Sequence, residues 1–149
     1  MNPSTNEITK EALCQMAIDA MKKAYVPYSG YRVGAALQDE AGHITCGCNI
    51  ENASYTPTIC AERTAFFKAV SSRQEEKLPH FVRIAVAGGK GGVIGGAFPP
   101  CGVCRQVMSE FCDDQFEILV VQSADPLRYD TYTLPQLLPL RFSPEYLEK

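Results

Sequence analysis

Two short motifs, Cys60-Ala61-Glu62-Arg63 and Pro100-Cys101-Gly102-Val103-Cys104, constrain this chain more than any other stretch. Cys101 and Cys104 are three residues apart, an offset that puts two side chains on one face at the start of a helix. Cys60 and Glu62 are two apart, so an ion held by the first lies within reach of the second. Each motif also reads as a helix opening. Thr58 is a good N-cap ahead of an apolar-periodic run of Ala61, Ala65, Phe66, Ala69 and Val70. Pro100 suits the first position of a helix carrying Val103, Val107, Met108 and Phe111. Thiols at helix N-termini feel the positive end of the macrodipole, which lowers their pKa and favours metal ligation. Cys60, Cys101 and Cys104 thus form a ligand set for Zn²⁺ whose fourth tetrahedral position stays open, as in catalytic zinc sites. An ion of that kind brings the pKa of its water down to about 7. Glu62 is the group placed to move the proton.

The rest of the composition fits such a chemistry and excludes others. At 149 residues the chain reads as one domain, 1–149, with a loose arm over 1–8. No apolar run reaches the roughly 20 residues of a membrane span. The first residues lack the basic-then-apolar pattern of a secretory signal, so the cytoplasm is expected. A net charge of −3 with scattered Lys and Arg argues against long nucleic acid as a partner and leaves an uncharged nucleoside open. Seven cysteines without such a signal read as metal ligands and packed thiols, not as a disulfide framework.

In chain order, Thr9 is expected to cap a helix with an apolar face of Leu13, Met16, Ala17, Ala20, Met21 and Ala24, ended by Pro27. Cys14 beside that face reads as a packed thiol. A strand over 32–38, rich in small residues for close helix packing, turns at 39–42 into a return strand over 43–50. Cys46 and Cys48 share a strand face but lack the spacing of a metal knuckle, and His43 and His80 are expected to be solvated. Asn49 and Glu51 point to one side by strand alternation, which suits either sugar hydroxyls or loop capping. A strand over 81–87 precedes the glycine-rich stretch Gly88–Gly96. That stretch fits no phosphate-loop template and reads as a lid or connector. A buried strand over 116–121, a turn at Asp125-Pro126, an edge strand over 128–133 and a helical turn over 134–138 complete the order. Tyr146 and Leu147 in the tail are expected to dock on the body or on a neighbour. The pattern is α/β, with a mixed sheet and helices on its faces.

At these residues the chain resembles the small zinc-dependent cytidine deaminases. The resemblance runs over nearly the whole length. It rests on Tyr28-Ser29 with Val33-Gly34-Ala35-Ala36-Leu37, on Asn49-Ile50-Glu51-Asn52-Ala53-Ser54-Tyr55, on Cys60–Ala65 and on Pro100–Gln106. The cysteine motifs alone indicate a zinc-dependent deaminase, and the Asn49–Tyr55 run narrows the substrate to a pyrimidine nucleoside. The resemblance implies a cytidine deaminase-like three-layer α/β/α sandwich. It implies hydrolysis of cytidine and deoxycytidine to uridine and deoxyuridine with release of ammonia, in pyrimidine salvage. One zinc per subunit would be held by Cys60, Cys101 and Cys104, with Glu62 as proton shuttle. Asn49 and Glu51 would hold the ribose, Tyr31, Ala61 and Tyr55 would contact the nucleoside, and Phe142 would pack on the base. The family is homotetrameric, with sites near subunit interfaces. Tyr31 stands where a Phe is usual, Pro99 where a Ser is common, and Gly88–Gly96 is long for the family.

Three thiolates leave Zn²⁺ with a net negative charge, which weakens its pull on water. Arg63 is placed to donate to thiolate sulfur and offset that charge, with Arg105 a weaker candidate for the same task. Three other readings remain open from sequence: a structural zinc protein, a deaminase of a related aminopyrimidine nucleoside, and a nucleic-acid editor. The first lacks a fourth ligand at suitable spacing, and the last lacks a basic surface.

Overall fold

The computed structural model describes residues 7–147. Its first helix, α1 (Lys10–Ala20), starts where Thr9 Oγ1 accepts the Ala12 N–H at 3.0 Å, as the sequence predicts. A 3₁₀ turn, Met21–Lys23, carries the chain out of the helix before Pro27 is reached. Of the arm expected over 1–8, residues 1–6 lie outside the described residues, and Ile8 packs against the core.

Strand β1 (Tyr31–Asp39) pairs antiparallel with β2 (Ile44–Cys48) on one side and with β3 (Phe81–Lys90) on the other. Strand β4 (Glu117–Ala124) runs parallel to β3, and β5 (Leu127–Thr133) returns antiparallel along the edge. The sheet order is β2-β1-β3-β4-β5. Helix α2 (Ala61–Ser71) follows β2, and α3 (Gly102–Phe111) joins β3 to β4. A short helix, α4 (Leu134–Leu137), opens on a Thr133–Gln136 capping box.

Strand alternation divides the apolar residues between two faces. Ala35, Leu37, Ile84, Val86, Ile118 and Val120 meet α2 and α3. Ala36, Ala85, Ala87, Leu119 and Val121 meet Leu13, Cys14, Ala17 and Met21 on the α1 side. The result is three layers, α/β/α, around a mixed sheet, as expected. Close packing by small residues holds as well: a Cβ on Gly34 would stand 2.1 Å from the Ala17 carbonyl oxygen.

Phe66 of α2 is fully buried at the centre of the larger core. Its ring centroid lies 5.3 Å from that of Phe81, 6.0 Å from Phe111 and 6.1 Å from Phe116. One side chain thereby ties α2 to the end of α3 and to the starts of β3 and β4. Burying a ring of this size stabilises by roughly 1.5–3 kcal/mol.

Several sequence expectations are corrected. The third strand runs to Lys90, not to residue 87: Gly88 pairs with Val33, Gly89 with Arg32 and Lys90 with Tyr31. The glycines weaken a strand locally, but the ladder offered by β1 prevails, and the connector begins only at Gly91 and Gly92, both at positive φ. The second strand stops at Cys48; beyond it Asn49 N still donates to the Val33 carbonyl at 3.2 Å, while the Asn49 side chain accepts the Val33 N–H in place of a backbone carbonyl. His43 and His80 are paired instead of merely solvated. His43 Nδ1 lies 3.0 Å from Asp39 Oδ2, and His80 bridges Glu40 (3.3 Å) and Asp113 (3.0 Å). All seven cysteines are free thiols; Cys14 and Cys112 are packed as expected, and Cys46 lines the α1-side core.

Candidate active site

One end of the sheet collects the start of β1, the ends of β2 and β3, and the N-termini of α2 and α3. The register fixes this: Gly34 stands opposite Cys48, and Tyr31 opposite Lys90. Ligand sites in α/β sheets gather at strand ends of this kind.

Cys60 is the N-cap residue of α2, with φ −76° and ψ 157°. Cys101 occupies the same position on α3, with φ −69° and ψ 168°. Both helices therefore start later than expected. Thr58 is not the cap of α2, because its hydroxyl accepts the Asn52 N–H within the preceding loop, and Pro100 lies ahead of α3. The shift strengthens the functional reading, since two thiols sit at the capping positions themselves and neither makes a capping hydrogen bond. Their backbone carbonyls do close the first turns, accepting from Thr64 N and Arg105 N.

The sulfurs of Cys60, Cys101 and Cys104 all lie within 4.8 Å of one another, and they are the metal-ligating groups that converge among the described residues. Cys60 Sγ and Cys101 Sγ are 3.7 Å apart. Sulfurs placed tetrahedrally about 2.3 Å from one zinc ion would be separated by about 3.8 Å, so the donor set fits that ion. Glu62, 3% exposed, sets Oε2 3.7 Å from Cys104 Sγ. Burial pushes its carboxyl up to about 7. Cys60 is pulled down to about 5, first by its hydrogen bond with Cys104 and further by Arg63 and Cys101. Cys104 is held above the ordinary thiol range by the same hydrogen bond with Cys60, so the pair keeps a proton that metal binding would release.

Arg63 Nη2 donates to Cys60 Sγ at 3.3 Å, and its Nε is buried without a partner. Arg105 does not share that task. Its Nε donates to the Pro100 carbonyl at 2.8 Å and its Nη1 to the Leu137 carbonyl at 2.7 Å, so it braces the α3 entrance against α4.

Ile50 and Ile59 exchange both backbone hydrogen bonds, at 3.0 and 3.1 Å, and close the loop between them. That antiparallel pairing sets Asn49 opposite Cys60 and Glu51 opposite Thr58 across the neck. Asn49 Oδ1 accepts the Val33 N–H at 2.9 Å, while its Nδ2 donates to the Tyr31 carbonyl at 2.8 Å. Glu51 accepts from Tyr28 N, Ser29 N and Ser29 Oγ. The Ser29 hydroxyl is the main reason its carboxyl lies below the usual carboxylate range. Both side chains therefore brace the turn before β1. By donor and acceptor capacity both retain free sites, one N–H and one Oδ1 lone pair on Asn49 and one lone pair on Glu51. Ser29 belongs to the Tyr28-Ser29 motif of the resemblance, but the sequence alone assigns it no role; its hydrogen bond to Glu51 appears only in the fold.

Tyr31 stacks on Phe98, with centroids 5.8 Å apart and planes at 30°. Ala61 is the buried first residue of α2. Tyr55 is exposed at φ 60°, its ring edge-on to Tyr28. Phe142 is anchored to α3 through its carbonyl, which accepts from Gln106 Nε2 and Ser109 Oγ. Its ring stacks on Tyr146 and is 56% exposed.

Residues 7–120 match the family described as the cytidine and deoxycytidylate deaminase zinc-binding region. The chain belongs to this family. It is 43% identical over 137 residues to a cytidine deaminase of Sporosarcina psychrophila, covering 92% of this chain and 93% of that protein. The crystal structure of a cytidine deaminase from Burkholderia pseudomallei superposes with a TM-score of 0.78 at 39% identity, covering 91% of this chain and all of that one (100%). That from Mycobacterium tuberculosis gives 0.71 at 33% identity, covering 92% and 99%. Family membership and the three converging sulfurs assign one zinc ion to each subunit.

Proposed function

We propose that this chain catalyses the hydrolytic deamination of cytidine and deoxycytidine, giving uridine or deoxyuridine and ammonia. The observation that carries the reading is the buried Glu62 carboxylate set against three converging thiols at two helix N-termini. Cys60, Cys101 and Cys104 hold the zinc, which when bound supplies the Lewis acidity that makes water a nucleophile at neutral pH. Glu62 accepts a proton from the attacking water and delivers it to N3 of the pyrimidine. It then takes the proton of the new C4 hydroxyl and hands it to the amino group, so that the C4–N4 bond breaks, the C4 carbonyl forms and ammonia leaves. A carboxyl raised by burial to about 7 can both take and give a proton at neutral pH.

Asn49 and Glu51 present their remaining hydrogen-bonding sites to the sugar hydroxyls, Tyr31 walls the same side, and Ala61 and Tyr55 line the nucleoside site. Arg63 offsets the negative charge of the thiolates from its hydrogen bond to Cys60. Phe142 packs on the base of a neighbouring subunit in a homotetramer. Its exposed ring, with the exposed side chains of Tyr55 and Leu140, supports an assembly that completes the site. The chain is placed in the cytoplasm, a reading that seven free thiols support. Among the described residues no helix is long and apolar enough to cross a membrane.

A panel of cytidine, deoxycytidine, cytosine and cytidine monophosphate, followed by absorbance with and without a zinc chelator, tests the function. Chelator-sensitive turnover of the two nucleosides is expected. No turnover of either by the zinc-loaded protein would overturn it.

A further inference from the structure

We infer that Phe98 is a positioning residue for nucleoside binding that acts through Tyr31, with Gly88 kept small to admit its ring; this rests on the nucleoside reading above. The stack on Tyr31 is direct, at 5.8 Å between centroids. The room for it is specific. A Cβ on Gly88 would stand 2.8 Å from Cγ and from Cδ1 of Phe98 and 3.1 Å from its Cβ. These are the near atoms of the side chain, so the whole ring would have to move. Gly88 is an ordinary ladder residue opposite Val33 and is not among the glycines at positive φ. Backbone conformation therefore does not require a glycine there, and the Phe98 ring does.

Tyr31 is in turn fastened to the residues proposed for the sugar. Its carbonyl accepts from Asn49 Nδ2 at 2.8 Å, and its N–H donates at 3.0 Å to Ser29 Oγ, the hydroxyl that donates to Glu51. Phe98 stands three residues before Cys101, so the segment that delivers a zinc ligand also delivers the ring behind Tyr31. Tyr31 remains 42% exposed, which leaves ring surface for a ligand. The arrangement couples the sugar side of the site to its metal side through one aromatic contact.

The test uses the full-length, zinc-loaded protein with Phe98→Ala, Phe98→Tyr, Gly88→Ala and the double variant Gly88→Ala/Phe98→Ala. Cytidine kcat and KM, zinc content and uridine affinity are read for each. An aromatic contact of this kind corresponds to about a two- to tenfold effect. Phe98→Ala is expected to raise KM and weaken uridine binding by that factor, with kcat and zinc content unchanged. Phe98→Tyr restores KM. Gly88→Ala raises KM in the parent but adds nothing once Phe98 is Ala. An unchanged KM in Phe98→Ala or in Gly88→Ala, or a loss of zinc and kcat with KM intact, would overturn the inference while an active parent upheld the functional reading. Should Phe98→Ala not fold, Gly88→Ala and Phe98→Tyr carry the same comparison. A parent inactive on cytidine would sink both.

Discussion

Glu62 Oε2 and Cys104 Sγ lie 3.7 Å apart, both side chains buried, although the two residues are 42 positions apart in the chain. Neither helix could make this contact alone. It depends on how closely α2 approaches the sheet and on the angle at which α3 meets it.

The approach of α2 is set by Gly47 on β2. A Cβ there would stand 2.5 Å from the Ala61 carbonyl oxygen and 2.6 Å from Ala65 N. Gly47→Ala is therefore expected to lift the first turn of α2 and Glu62 with it. Overpacking of this kind costs about 1–3 kcal/mol. Thermal unfolding should show the loss of stability, and kcat should fall in the same variant. Parent-like kcat and stability would place the helix under no such constraint.

Arg63 donates to the Cys60 thiol and keeps a buried Nε. Arg63→Ala should weaken zinc affinity or activity by about 10–100-fold, the usual effect of removing a partner of a metal ligand. Competition with a chromogenic chelator reads the affinity. Arg105→Ala should act on stability instead, because its partners are the Pro100 and Leu137 carbonyls.

The His80 bridge makes a pH-dependent contribution to stability. The Asp113 hydrogen bond is the main cause of the raised His80 pKa, and the His80 hydrogen bond is the main cause of the lowered Asp113 pKa. The histidine term is complete below its unfolded value of about 6.5 and is lost as pH rises through the raised folded value. The aspartate term is complete above about 3.9 and is lost as pH falls through the depressed value. Both act together between these limits. His80→Ala should therefore cost most near pH 5–6, by no more than about 1 kcal/mol for so exposed a pair, and progressively less above neutrality. Denaturant unfolding at several pH values checks the sign; a cost that grows with alkalinity would contradict it.

Much of the site was legible because its chemistry is local. The Cys101–Cys104 offset and the Cys60–Glu62 offset survive folding whatever surrounds them, and the mixed sheet with helices on its faces follows from the order of the elements. What was not legible depended on partners distant in sequence. The extension of β3 through Gly88–Lys90 comes from the ladder offered by β1, and no local propensity reports it. Thr58 and Pro100 place the helix starts two residues early, because good helix-opening residues stand just ahead of the cysteines that occupy the capping positions. The alternation of Asn49 and Glu51 suits either sugar hydroxyls or loop capping, and the structure binds both side chains to the Tyr28–Val33 backbone. Phe98 lies outside every motif legible in the sequence, and its ring meets Tyr31 only in the fold.

Glu62→Gln tests the central claim most directly, because it keeps the shape of the side chain and removes its capacity to carry a proton. The variant should fold, bind one zinc per subunit by metal analysis, and lose cytidine turnover by at least the roughly 10²–10⁴-fold of general acid/base catalysis. Turnover at close to the parent rate, with zinc still bound, would contradict the account.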